Sequence, residues 1–233
     1  GSGVQYNAIK YFIESQNCDA VDGGVVIFAA GNDATAMSGY PGAYHDYISV
    51  TSFSPDYLPA YYTNYGPGCN ISAPGGDYKI SADAAKTYAE VLSTVPSELS
   101  EYNGADYGFM QGTSMACPHV SGVAALIVSH FGGEGFTAEE CKKRLLNGYR
   151  PMGGLIPDDQ LGDIGVGLLD AAAALMDDPG TAPANVDDAE VSSELNKINL
   201  TWTVPADGNG AAVATYWVTY GAEGEEPVEQ EIR

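Results

Sequence analysis

Basic residues are scarce in this 233-residue chain: nine Lys and Arg stand against 31 Asp and Glu, a formal net charge of −22. Binders of nucleic acid or of anionic membranes need a basic footprint, so both functions are disfavoured. Long apolar runs are lacking too. The longest, over 120–128, is interrupted by Ser121 and diluted with Gly and Ala, so no transmembrane span is expected. Gly1-Ser2-Gly3 has neither the charged nor the apolar region of a signal peptide, and no targeting is legible there. Cysteine is limited to Cys18, Cys69, Cys117 and Cys141, at no zinc-binding spacing from one another or from His45, His119 and His130. Four thiols allow three pairings, but a core of this size needs no staples, and buried free thiols are the simpler expectation. They do not fix a redox compartment.

What remains is a globular composition, 45% hydrophobic and 17% charged. Residues 7–14 have amphipathic spacing, with Ala8, Tyr11 and Phe12 on one face, and predict a helix. Residues 25–30 form a short apolar run without alternation, as in a strand covered on both faces. Residues 47–53, 70–73 and 90–95 read as further strands. Residues 116–131 are apolar or small nearly all round, which predicts a central buried helix. Over 137–146 a second helix is expected, Thr137 capping it and Glu140 completing a capping box. A Gly-rich stretch leads into a last helix within 165–176. Helices alternating with buried strands predict an α/β fold with a mainly parallel sheet.

After Gly180 the pattern changes. Residues 179–184 form a Pro-containing linker, and strand-like alternation follows at 196–204, with Ile198, Leu200 and Trp202 on one face, and again at 216–220. Period-two patterning between polar turns predicts a partial β-sandwich over 185–233.

The chemistry concentrates in Gly112-Thr113-Ser114-Met115-Ala116-Cys117-Pro118-His119-Val120-Ser121-Gly122. A serine there stands between a flexible Gly-Thr turn and the start of a buried helix, facing free backbone N–H groups and the positive end of the helix dipole. Pro118 fits an opening turn, which has no helical N–H bond to lose. The geometry suits a nucleophile, an anion-binding serine or a plain N-cap.

The string itself resembles the nucleophile motif of the subtilisin-like serine peptidases. Other landmarks follow in that family's order: Phe28-Ala29-Ala30-Gly31-Asn32, Gly39-Tyr40-Pro41-Gly42-Ala43-Tyr44, Asn70-Ile71-Ser72-Ala73-Pro74-Gly75, Leu92-Ser93-Thr94-Val95-Pro96 and Gly165-Val166-Gly167-Leu168-Leu169-Asp170-Ala171. The resemblance implies a subtilisin-like three-layer α/β fold, present in part over 1–178. It implies Ser114 as the acylating nucleophile, with the Asn32 amide and the Ser114 N–H holding the oxyanion. Ala29, Ala30, Gly31 and Gly39 would line the pocket for the residue before the scissile bond, which is expected to be large and apolar or aromatic. The tail, with Pro183, Trp202 and Tyr216-Trp217-Val218-Thr219-Tyr220, resembles the first strands of a fibronectin type III module, and a generic β extension is the alternative.

A serine hydroxyl needs a histidine to take its proton and a carboxylate to orient that histidine. In the family both precede the asparagine strand, and neither an Asp-Thr/Ser-Gly nor a His-Gly-Thr-His string occurs in this sequence. His119 lies on the same helix as Ser114 and would be aimed along it rather than across the serine. The resemblance therefore implies the second half of a secreted or surface-attached endopeptidase acting on proteins or peptides. Such a chain is expected to be inactive without the missing N-terminal half as partner. The alternative is a non-catalytic surface or adhesion protein that keeps the fold. No cofactor is implied. Structural calcium is left open, since Asp83 and Asp106 show no ligand spacing. The sequons at Asn70 and Asn199 both fall in predicted strands.

Overall fold

A computed structural model describes residues 3–15, 18–36, 46–66, 68–80, 89–98, 104–153, 155–156, 162–176, 190–194, 197–201, 216–220 and 228–232. The chain divides into two compact units, Gly1–Met176 and Asp177–Arg233. In chain order the first holds α1 (Gly3–Ser15), β1 (Ile27–Ala29), β2 (Ile48–Phe53), β3 (Ile71–Pro74), β4 (Val91–Thr94), β5 (Tyr107–Met110), α2 (Thr113–Phe131), α3 (Ala138–Asn147), β6 (Tyr149–Arg150), β7 (Leu168–Leu169) and α4 (Ala171–Ala174).

Five strands make one sheet in the order β1-β2-β3-β7-β6, parallel except for the β7–β6 pair. The expected α/β architecture with a mainly parallel sheet is therefore present. β2 lies inside the sheet and all six of its residues are buried. Its side chains alternate between faces. Ile48 and Val50 meet α2, whereas Phe53 joins Met152, Ile156, Ile164 and Leu168 on the other side. From α2, Ala116, Val120, Val123, Ala124 and Ile127 recur at helical spacing and form the core with Ile71, Ala73 and α3's Cys141 and Leu145. Thr137 caps α3 by accepting the Glu140 N–H at 3.1 Å, while Glu140 pairs with Arg144 instead of closing the capping box.

Several expectations are corrected. β1 is only half-buried, because it stands at the sheet's edge and pairs with β2 alone. The strand expected at 90–95 exists as β4, but it leaves the main sheet and pairs antiparallel with β5. α1 buries none of its residues, and Tyr11 is 74% exposed. α2 begins at Thr113, not at 116, so Pro118 sits beyond the opening turn and withholds a helical N–H from Ser114's carbonyl. α2 is also the one helix among the described residues long and apolar enough to cross a membrane. One stripe of it packs against β1, β2 and β3, while Pro118, His119, Ser121, Gly122, Ala125 and Leu126 are exposed, so the burial expected all round is found on one face alone. Asn70 accepts the Ser49 N–H at 2.7 Å and its sequon serine is buried, so that tripeptide knits strands together.

In the second unit β8 (Glu190–Glu194) pairs antiparallel with β9 (Lys197–Thr201), and β10 (Tyr216–Tyr220) with β11 (Val228–Ile232). The strands expected at 196–204 and 216–220 are present as β9 and β10; β8 and β11 carry weaker alternation and were not anticipated. Trp202 and Pro183 lie outside the described residues.

All four cysteines are free, but Cys18 is exposed, contrary to the expectation of burial. Burial, with Glu140 beside it, pushes the Cys141 thiol up from 9.0 to about 11. A group raised in this way contributes stability below its unfolded pKa and loses it as pH climbs through the folded value. In the folded protein an aromatic disulfide reagent at pH 8 should label Cys18 promptly and Cys141 only on unfolding. Cys141→Ala should flatten the fall in stability between about pH 9 and 11, read by denaturant titration at each pH.

Candidate active site

Ser114 owes its position to the turn before it. Gly112 has a φ of 147°, which disfavours any residue with a Cβ, and its N–H donates to the Gly75 carbonyl at 2.9 Å. The Gly112 carbonyl then accepts from both Met115 and Ala116, starting α2. Gly75 sits at the end of β3 so close to Ser52 Oγ and to the Gly112 carbonyl that a side chain there has no room. Behind this contact the Tyr62 hydroxyl pairs with Ser52 Oγ at 2.8 Å and donates toward the Gly75 and Gly76 carbonyls at 2.9 and 2.6 Å. Burial raises the Tyr62 phenol above its ordinary value, an effect only partly offset by hydrogen bonding from the Ser52 hydroxyl and the Gly112 backbone.

Thr113 joins the helix to the end of β1. Its N–H and its hydroxyl both donate to Asn32 Oδ1, at 2.9 and 2.8 Å, and its Oγ1 accepts the Gly31 N–H at 3.1 Å. Two donors face one atom of the Asn32 amide, so that atom must be the oxygen, and Nδ2 is turned the other way. Asn32 Nδ2 has no partner among the described residues. Neither has the Ser114 backbone N–H, which lies in the first turn where helices leave donors open. Ser114 itself is exposed, in the first turn at the positive end of α2.

The structure thus brings Asn32 and Ser114 together through Thr113. Ala29 ends β1, Ala30 is 7% exposed behind it, and Gly31, with a φ of 104°, turns the chain toward Asn32. Gly39 and His45 lie outside the described residues, as does Asp83. His119 Nδ1 contacts the Met115 carbonyl of its own helix at 2.8 Å, and the His130 ring packs edge-on to Phe131 at the helix's far end. No base reaches the Ser114 hydroxyl among the described residues.

Two supporting residues escaped the sequence reading. In the sequence Thr113 is one residue of a flexible turn, whereas in the fold its hydroxyl is the link between strand and helix. Asn64, 7% exposed, spends its whole amide on the β1 end: Nδ2 donates to the Ala30 carbonyl, and Oδ1 accepts from Asp33 and Thr35. It lies against Gly31, where a Cβ would collide with it. The local Asn-Tyr-Gly turn was its only signal. Asn64→Ala leaves three backbone groups unpaired and should destabilise the fold by about 2–3 kcal/mol in urea denaturation, with Asn64→Asp costing less because the acceptor survives.

The arrangement can present a hydroxyl to a carbonyl carbon and receive the resulting negative oxygen between two preset donors. Known proteins resemble the chain. A model of the subtilase family matches residues 2–166. An extracellular protease of Xanthomonas campestris is 33% identical over 191 residues, which cover 82% of this chain and 29% of that protein. A halolysin of Haloferax mediterranei is 34% identical over 156 residues, 67% of this chain and 25% of that protein. Among solved structures, a protease from Pseudoalteromonas arctica matches with a TM-score of 0.57 at 33% identity, covering 75% of this chain and 46% of that one. A lanthipeptide protease at 23% identity and a TM-score of 0.57 shares the fold. The chain spans about a quarter to a third of these curated relatives.

Proposed function

The chain belongs to the subtilase family, and from that premise we propose that residues 1–178 are the nucleophile-bearing part of a serine endopeptidase that hydrolyses protein or peptide substrates. The observation that carries this reading is the Thr113–Asn32 link, which leaves Asn32 Nδ2 and the Ser114 N–H unclaimed beside an exposed Ser114 hydroxyl. Ser114 Oγ attacks the scissile carbonyl carbon while its proton passes to a histidine. The carbonyl oxygen, now negative, is held by Asn32 Nδ2 and the Ser114 N–H. Collapse expels the amine with a proton and leaves an acyl-enzyme, which water cleaves by the same route. The donors stabilise the charged oxygen more than the neutral carbonyl, and that difference is the rate acceleration.

The histidine and its aspartate are assigned to an N-terminal half outside these 233 residues. Supporting this, the sequence lacks both motifs, and no histidine approaches Ser114 among the described residues. The pocket for the residue before the cleaved bond is assigned to Ala29, Ala30 and Gly31, with Gly39 by family resemblance, and small side chains there favour large apolar or aromatic groups. Residues 179–184 are the linker, and 185–233 open a fibronectin type III-like β domain, a reading supported by the antiparallel pairs β8–β9 and β10–β11. Secretion, with or without attachment to the cell surface, agrees with relatives named extracellular protease and halolysin. The protein takes no nucleic acid and uses α2 in its core, not across a membrane.

The unaccompanied Ser114 also fits a second reading, a non-catalytic surface protein that retains the peptidase fold. Expressing the full reading frame separates them. A fluorophosphonate should label Ser114, peptide hydrolysis should appear, and Ser114→Ala should abolish both. Asn32→Ala should lower kcat by about 10²–10³, the magnitude measured for loss of the oxyanion-hole asparagine in subtilisin itself. The 233-residue chain by itself should show no turnover, and Ser114-dependent hydrolysis by it would overturn the assignment of the base to a missing half.

A further inference from the structure

The turn before Ser114 is fastened on two flanks. Through Thr113 it is tied to Asn32 beyond β1, the sheet's edge strand; through Gly112 it is tied to Gly75 beyond β3, two strands further in. With the pocket for the acyl half of a peptide on the β1 flank, the leaving half crosses toward β3. Four side chains stand there that the mechanism does not use. Gln111, three residues before Ser114, donates from Nε2 to the Tyr61 hydroxyl at 3.1 Å and accepts the Tyr78 N–H on Oε1 at 2.8 Å. The Tyr61 and Tyr78 rings meet edge to face at 5.7 Å. Lys79 Nζ lies over the Tyr61 ring, 3.4 Å from its centroid.

The arrangement is held from beneath. Asp77, 3% exposed, accepts the Tyr61 N–H on one carboxylate oxygen at 3.0 Å and the Lys79 N–H on the other at 2.8 Å. The lysine's backbone and its aromatic seat are therefore fixed by one buried group. A ring face positions an ammonium without neutralising it. Lys79 is exposed and makes no ion pair among the described residues, in a protein with only nine Lys and Arg. One fixed, unspent positive charge beside the site, in a strongly acidic molecule, is a selector for negative charge.

Resting on the peptidase reading above, we propose that Lys79, seated on Tyr61, is a specificity-determining residue that favours an acidic side chain within the first three residues after the scissile bond. The protein's overall charge acts against acidic substrates at long range, and Lys79 acts for them at one position.

The test uses the full-length protein and quenched fluorescent peptides of one sequence, carrying Glu, Gln or Lys at each of those three positions in turn. At one position kcat/KM for Glu should exceed that for Gln about two- to fivefold, with Lys below both. Lys79→Gln should bring the Glu-to-Gln ratio to about one, and Lys79→Arg should keep it. Lys143→Gln, which removes the same charge from the exposed face of α3, should leave the ratio as it was. A wild-type protein without Glu preference at any of the three positions would overturn the proposal, as would a preference that survives Lys79→Gln or vanishes equally in Lys143→Gln. Turnover without discrimination sinks only the role of Lys79. Absence of turnover on every peptide overturns the peptidase reading and this proposal with it.

Discussion

The hydrogen bonds from Thr113 to Asn32 are the constraint on which the rest of the site depends. They are short, they come from a backbone N–H and a hydroxyl of one residue, and they converge on a single oxygen. The same hydroxyl takes up the Gly31 N–H, so an isolated side chain sets the distance between the end of a strand and the start of a helix. Everything nearby serves that distance. Asn64 fixes the β1 end from below, and Gly31 is small enough to let it approach. Gly75 and Gly112 bring β3 against the helix start with backbone on backbone. A polar amide and a hydroxyl, placed this way, become directional only because neither can turn.

Packing explains why those groups cannot turn. α2 is seated on the sheet by a stripe of residues with no exposed surface or nearly none, and β2 beneath it is buried along its whole length. A helix seated by such a stripe resists rotation about its axis, since a small turn would drive those side chains out of their grooves. The N-terminus of such a helix is a fixed point in space, and a serine in its first turn inherits that fixity. The burial of Ser52 and Tyr62 extends the same rigidity to β3, using hydrogen bonds where the chain is too crowded for apolar side chains.

The sequence showed the fold class because it depends on local pattern, and the site residues proposed above rest on local strings of the same kind. The apolar and small residues of 116–131, the Ser114 string and the Asn32 strand end are contiguous stretches whose meaning does not change with the partner. Residues that act across the chain were invisible. Asn64 lies 34 residues from the carbonyl it holds, and Thr113 lies 81 from Asn32. No spacing rule connects such pairs. Edge and centre were equally hidden: residues 25–30 are wholly apolar and 47–53 carry Ser49, Thr51 and Ser52, yet topology leaves the apolar β1 half-covered and buries β2. β4 was found as a strand but not placed, since an antiparallel ribbon and a sheet strand draw on the same residues. The start of α2 was missed because Pro118 was read as the mark of an opening turn, when the capping glycine stood six residues earlier.

The open N–H of Ser114 has a consequence in the language of competition. Most backbone donors in a folded protein already have a protein partner, and a ligand that wants one must displace it. At Ser114 there is none to displace among the described residues, and Asn32 has one half of its amide anchored so that the other half stays vacant. An oxygen arriving there evicts only water. The protein has settled the contest for these two hydrogens in advance, during folding, by fixing Asn32 through its oxygen and placing Ser114 in an opening helical turn.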